Sequence, residues 1–78
     1  MVKIVGNPIV NGVVRDDAII SIPVPKSLVE LAVSKDGDDW DSMCNQLPNF
    51  GFMNPIGKMH ILHLEINGER RIFHWKDM

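Results

Sequence analysis

Residues 59–75 constrain the fold most strongly, because two strand-like segments flank Asn67 and Gly68. Asn-Gly favours a two-residue type I′ turn, in which both central residues adopt a positive φ. Such a turn predicts the pairing of Ile66 with Glu69, Glu65 with Arg70, Leu64 with Arg71, His63 with Ile72, Leu62 with Phe73, Ile61 with His74 and His60 with Trp75. The core face of this C-terminal β-hairpin is predicted to carry Leu62, Leu64, Ile66, Phe73 and Trp75.

The N-terminal part of the chain predicts further strands. Two β-rich pieces, residues 2–5 and 9–14, are broken by Gly-Asn-Pro between them, and the Asn-Gly pair at 11–12 offers a second hairpin turn. Residues 18–24 predict another strand. Because Pro23 has no N–H to donate, we expect that strand to lie at an edge of the sheet or to bend out of it.

The middle of the chain predicts two short helices. Pro25 suits the first turn of a helix through Lys35, which Gly37 would end in the left-handed conformation. Asp38 is predicted to cap a second helix, which Pro48 stops. The buried face of this helix is predicted to contain Trp40, Met43, Cys44 and Leu47.

A chain of 78 residues supports one small core, so we predict a single domain over residues 1–78. The predicted fold class is α+β, a small single domain with N-terminal strands, two short central helices and a C-terminal β-hairpin. One cysteine, Cys44, allows no internal disulfide, which favours a reducing compartment. The longest apolar run, residues 18–25, is too short to span a membrane, and we expect a cytoplasmic protein.

The negative charge is concentrated in one segment. The net charge is −2, yet residues 36–41 carry four aspartates, while residues 1–35 and residues 42–78 each sum to +1. The first interpretation is that these aspartates cap and stabilise the N-terminus of a helix and are otherwise exposed to solvent. A second interpretation is a docking site for a basic partner, with Trp40 partly accessible, formed by Asp38, Asp39, Trp40 and Asp41.

The sequence predicts neither a metal site nor a catalytic site. His63 and His74 fall on one face of the hairpin and Cys44 could supply a thiolate, but no third ligand is spaced into that site. The aspartates of residues 36–41 do not match a calcium-binding loop, which needs glycine at its sixth position and glutamate at its twelfth. The sequence contains no nucleophile elbow, phosphate-binding glycine loop or His-Glu-x-x-His motif. We therefore expect a non-enzymatic protein without metal or cofactor.

Two segments resemble one known family. Residues 24–38, VPKSLVELAVSKDGD, are similar to the Ile-Pro-Lys-x-Leu…Leu-Gly-Leu-x-x-Gly-Asp segment of the AbrB/MazE-like swapped-hairpin family. Residues 2–7, VKIVGN, resemble the Lys-x-x-Gly-Asn-Ser start of that family. The resemblance implies an intertwined dimer that binds DNA through its N-terminal strands and loops, as a transcription regulator or an antitoxin. It implies that Lys3, Asn7 and Arg15 are the nearest positions for DNA contact.

The predicted function is therefore that of a small, dimeric, non-enzymatic regulator, resembling the AbrB/MazE-like DNA binders. The alternative is a small protein-interaction module or inhibitor that docks through residues 36–41. A homodimer is expected in both cases, because the short helices can cover only part of the apolar surface of the strands. Its interface is predicted at residues 18–24 or at the C-terminal hairpin.

Overall fold

The computed structural model describes residues 1–52 and 57–72. In these residues, three strands come first, two short α-helices follow, and two further strands come last. The strands are β1 (Val2–Val10), β2 (Val13–Val14), β3 (Ile20–Pro23), β4 (Met59–Ile66) and β5 (Glu69–Ile72). The helices are α1 (Val29–Val33) and α2 (Gly37–Gln46), with 3-10 turns at Lys26–Leu28 and Leu47–Phe50. The structure is a small α+β fold, as the sequence predicts.

The first strand lies in the middle of the sheet. β1 pairs antiparallel with β4 and also with β2 and β3, while β5 pairs antiparallel with β4. Val2 is opposite Ile66, so the beginning of the chain meets its C-terminal hairpin. β4 therefore supplies the long-range pairing that joins the N-terminal strands to the C-terminal hairpin.

Both predicted Asn-Gly turns are confirmed. Asn67 and Gly68 have φ values of 51° and 88°, as a type I′ turn requires, and they join β4 to β5. The predicted register is confirmed for His63 with Ile72, Leu64 with Arg71, Glu65 with Arg70 and Ile66 with Glu69. The predicted partners at residues 73–75 lie outside the described residues. The second Asn-Gly pair, at 11–12, also has positive φ values and joins β1 to β2.

β1 continues through residues 6–8, so the predicted break in this strand is wrong. Gly6 fits there because β4 passes very close to it, and a Cβ atom on Gly6 would collide with the backbone carbonyl of His60. Pro8 lacks an N–H but its carbonyl accepts a hydrogen bond from the Arg15 N–H at 2.9 Å. The glycine therefore allows a close approach between two strands.

A β-bulge at Leu62 changes which residues of β4 face inward. Val5 pairs with His63 and Gly6 pairs with Ile61, which leaves Leu62 as the extra residue between them. Leu64 on one side of the bulge is fully buried, Ile61 on the other side is 2% exposed, and Leu62 itself is 39% exposed. The predicted core face is therefore confirmed at Leu64 and wrong at Leu62.

The strand predicted at residues 18–24 is shorter in the structure. β3 covers Ile20–Pro23 and pairs with β1 alone among the described strands, which confirms its place at an edge. Val24 donates its N–H to the carbonyl of Val2, so the nitrogen of the preceding Pro23 points away from β1. A proline at this position costs the sheet no hydrogen bond.

The helix boundaries differ from the prediction. The first helix ends at Val33, because Ser34 is extended, and Gly37 begins α2 instead of ending α1. The N-cap of α2 is Asp36, whose side chain accepts a hydrogen bond from the Asp38 N–H at 2.8 Å, so the predicted cap at Asp38 is wrong. The predicted buried face of the second helix is confirmed for Trp40, Met43, Cys44 and Leu47.

Both helices pack on the same face of the sheet. Their buried side chains form one cluster with Val2 and Ile4 of β1 and Leu64 of β4. Val5 is also buried but does not belong to this cluster, because it points to the opposite face. No described helix covers that opposite face. Among residues 1–52 and 57–72, no helix is both long enough and apolar enough to cross a membrane.

Candidate functional site

The face of the sheet opposite the helices presents two rows of side chains. Strand register places Pro23, Lys3, Glu65 and Arg70 in one row, and Ser21, Val5, His63 and Ile72 in the next. We call these eight residues the helix-free face. Arg70 is exposed, Lys3 is half-buried, and Ile72 is 69% exposed. The face therefore offers two cations and one large apolar side chain to a partner.

The charges on the helix-free face are not neutralised by close ion pairs. Glu65 lies between Lys3 and Arg70 in the strand register, but it forms no ion pair with either within the described chain. The ion pair seen in that part of the chain joins Arg15 to Asp17 at 3.3 Å, between two exposed side chains. Lys3 and Arg70 therefore remain available to an anionic partner.

The three residues implied as DNA contacts occupy different environments. Lys3 lies on the helix-free face and Arg15 is exposed after β2. Arg15 pairs with Pro8, five residues along β1 from Lys3, which is roughly 17 Å at about 3.3 Å per residue. The structure does not bring these two cations together at one point.

Asn7 has a structural role. The side chain is 7% exposed, and its Nδ2 donates a hydrogen bond to the carbonyl oxygen of Ala18 at 2.7 Å. This bond attaches the connection between β2 and β3 to the central strand. A buried amide that already holds the backbone is a poor candidate for contacting DNA.

The acidic segment is organised around the start of α2. Ser34 Oγ donates to Asp39 at 2.8 Å and accepts from the backbone N–H of Asp36 at 3.1 Å, while Asp36 caps the helix. Trp40 is only 4% exposed. The prediction that Trp40 is partly accessible is therefore wrong, and this residue cannot anchor a partner in the free protein.

Arg71 connects the hairpin to both helices. Its Nη1 donates to the backbone carbonyls of Ala32 at 3.2 Å and Ser34 at 2.6 Å, and its guanidinium carbon lies 3.9 Å from the Trp40 ring centroid. We did not predict this role from the sequence. The signal was present, because the turn register places Arg71 opposite Leu64, on the core side of the sheet.

A cleft of about 280 Å³ lies between β5 and the end of α1. We call it the basic cleft, and it is lined by Val33, Ser34, Lys35, Ile66, Glu69, Arg70 and Arg71. Lys35 and Arg71 are cationic, and Glu69 is acidic. Arg70 is part of this lining, but its side chain lies on the helix-free face, because neighbouring residues of a strand alternate between the two faces and Arg71 faces the helices.

The structure separates two of the metal ligands considered above. Cys44 is buried in the cluster beneath the helices, whereas His63 lies on the helix-free face of the sheet. His74 lies outside the described residues. Within those residues, no group of three or more His, Cys, Asp and Glu side chains could hold a metal ion.

Comparison with protein-family models, curated proteins and solved structures finds no match to this chain. The resemblance to the AbrB/MazE-like family stays a prediction. The two segments that carry it, residues 2–7 and 24–38, lie in β1 and around α1.

Proposed function

We propose that the protein is a non-enzymatic, dimeric DNA-binding regulator that contacts phosphates through the helix-free face. The supporting observation is that Lys3 and Arg70 lie in one row, two strands apart, on a sheet face that no described helix covers. Cations on such a face reach the DNA backbone without any rearrangement of the core. DNA binding is the function that the resemblance to the AbrB/MazE-like family implies, whereas the helix-free face is chosen as the binding surface from the fold.

The spacing of the cations suits an extended polyanion. Lys3 and Arg70 lie two strands apart, which is roughly 10 Å at about 4.8 Å between neighbouring strands. Arg15, which is not part of the helix-free face, lies roughly 17 Å from Lys3 along β1. Phosphates repeat every few ångströms along each strand of a duplex, so the three cations contact different phosphates.

The dimer interface is proposed at the outer edge of β5. β5 ends the described sheet, and its last residue, Ile72, is 69% exposed. The competing edge, β3, is less suited to pairing, because Pro23 turns a nitrogen without a hydrogen outward. Pairing two copies through β5 would cover Ile72 and double the number of cations on one assembly.

The acidic-docking alternative has less support. Burial of Trp40 removes its proposed anchor, and Asp36 and Asp39 are engaged in local hydrogen bonds. Asp38 is exposed and stays a candidate for contact with a basic partner, and this alternative stays a prediction. Electrostatic docking of that kind would not require DNA.

The salt dependence of duplex binding tests the proposal. One phosphate contact each from Lys3, Arg15 and Arg70 predicts a log–log slope of about −2.7 per chain, at about −0.9 per phosphate. We expect Lys3→Ala to reduce this slope by about 1 and to leave stability nearly unchanged. Arg15→Ala is expected to behave in the same way.

Lys26→Ala is the matched control, since it removes the same charge from an exposed residue in the 3-10 turn before α1. Its slope should equal that of the parent protein. If Lys3→Ala and Lys26→Ala reduced the slope equally, the effect would depend only on net charge, and this result would contradict the proposed surface. A chain that does not bind duplex DNA even at low salt would refute the function itself.

A further inference from the structure

We propose that the basic cleft binds an aliphatic carboxylate. The carboxylate group would contact Arg71 and Lys35, and the aliphatic group would pack against Val33 and Ile66. This inference goes beyond DNA binding, because the ligand is different and Lys3 is not part of the cleft.

Arg71 is held in place before any ligand arrives. Two backbone carbonyls accept hydrogen bonds from its Nη1, and the Trp40 ring packs against the plane of the guanidinium. Immobilising a long side chain on binding normally costs affinity. In this protein, folding has already immobilised Arg71. A ligand that meets Arg71 therefore loses less affinity to side-chain ordering.

The fixed position of Arg71 leaves one edge of its guanidinium for a ligand. Nη1 can donate two hydrogen bonds, and Ala32 and Ser34 accept both. Nε and Nη2 lie together on the remaining edge, and they have no acceptor within the described part of the chain. Two parallel N–H groups match the two oxygens of a carboxylate.

The other side chains of the cleft define the charge and shape of the ligand. Lys35 adds a second cationic side chain to Arg71, against the single acidic side chain of Glu69 in the same lining. Val33, which is 45% exposed, and Ile66 add apolar surface. A volume of about 280 Å³ accommodates a short branched acid or the last residue of a peptide. Both sources present the same group, a carboxylate next to an aliphatic chain.

Titration of the ¹⁵N-labelled protein with isovalerate tests the site, with isovaleramide as its uncharged isostere. We expect isovalerate to shift the backbone signals of residues 33–35 and 69–71 with a dissociation constant of roughly millimolar order, because the ligand has few atoms. Isovaleramide should leave these signals unchanged. Inorganic phosphate should bind more weakly than isovalerate, since it gains nothing from the apolar wall.

Two substitutions with opposite expected effects identify the residues. Lys35→Ala should weaken isovalerate binding by about two- to fivefold, and Glu69→Gln should strengthen it by a similar factor, the range of a partly exposed charge pair. Both residues are exposed, and neither contributes to the core cluster, so both variants should fold. Lys3→Ala should leave isovalerate binding unchanged.

Two peptides with the same sequence, one ending in a free leucine carboxylate and one in a leucine amide, identify the source of the ligand. Tenfold tighter binding of the free-acid peptide than of isovalerate indicates a protein C-terminus, and equal binding indicates a small free acid. Both results support the site. Equal shifts by isovalerate and isovaleramide, tighter binding of phosphate, or no effect of Lys35→Ala would overturn it. Loss of duplex binding alone would leave these titrations intact, so the two proposals fail separately.

Discussion

The guanidinium carbon of Arg71 lies 3.9 Å from the centre of the Trp40 ring, a distance typical of a cation–π contact. Trp40 belongs to α2 and Arg71 to β5, so this contact joins the helical layer to the C-terminal hairpin. The same arginine also donates to two carbonyls at the end of α1. One side chain therefore stabilises the meeting point of three elements.

Replacing Arg71 should lower stability more than replacing its neighbour Arg70. We expect Arg71→Ala to reduce the free energy of unfolding by about 2–3 kcal/mol, because it removes the ring contact and two charge-assisted hydrogen bonds. Arg70→Ala, which removes the same charge from an exposed position, should change it by less than about 0.5 kcal/mol. Urea denaturation followed by circular dichroism measures both. Equal effects of the two variants would contradict a structural role for Arg71.

Gly6 should not tolerate a larger residue. Gly6→Ala is expected to destabilise the fold by about 3 kcal/mol, because the new Cβ would overlap the backbone of β4 at His60. Gly37→Ala is the control, since no atom lies within 4 Å of the added carbon and the residue begins a helix. That variant should gain up to about 0.5 kcal/mol. Thermal denaturation that ranks the two variants in the opposite order would exclude the close approach at Gly6.

The bulge in β4 predicts unequal effects of one substitution at two leucines. Leu64→Ala should cost about 3 kcal/mol, because the side chain is fully buried. Leu62→Ala should cost less than about 1 kcal/mol, because the bulge turns this side chain outward. Chemical denaturation of both variants provides the comparison. Similar losses would mean that β4 alternates regularly and has no bulge.

Light scattering tests the proposed dimer. The parent protein should have a mass near twice 8.8 kDa, and Ile72→Glu should return it to 8.8 kDa by placing a charge in the β5 interface. Ile19→Glu is the control, because Ile19 is equally prominent at 71% exposure but adjoins β3. A parent mass of 8.8 kDa up to high micromolar concentration would contradict the dimer. Dissociation by Ile19→Glu alone would contradict the choice of β5.

Local chemistry explains what could be predicted of the fold. The register at Asn67-Gly68 depends on two residues whose backbone preferences are intrinsic, and the buried face of α2 depends on spacing within one helix. The bulge at Leu62 arises only when β4 meets β1, a strand far away in the sequence. The N-cap of α2 could not be predicted from local sequence either, because Asp36 and Asp38 are both suitable capping residues. The extended conformation of Ser34 decides between them.

The candidate site was less predictable, because its residues come together through tertiary structure. Lys3 lies outside the apolar pattern of β1, and the fold places it on the helix-free face. Asn7 has the polarity of a binding residue, yet the backbone of Ala18 occupies its amide. The basic cleft joins Lys35 to residues of β5 only after α1 has packed on the sheet. An arginine opposite a core leucine was the one sequence signal that pointed to Arg71.

The central position of β1 sets the order in which the protein can fold during synthesis. This strand is synthesised before the other four strands, and one of its edges can pair early with β2 and β3, which follow closely in the chain. Its other edge stays unpaired until β4 emerges, because Val2 must meet Ile66. The nascent chain thus passes through a stage in which one edge of an apolar strand is unpaired and can pair with other chains. Anything that delays the C-terminal hairpin, such as slow translation or early termination, prolongs that exposure.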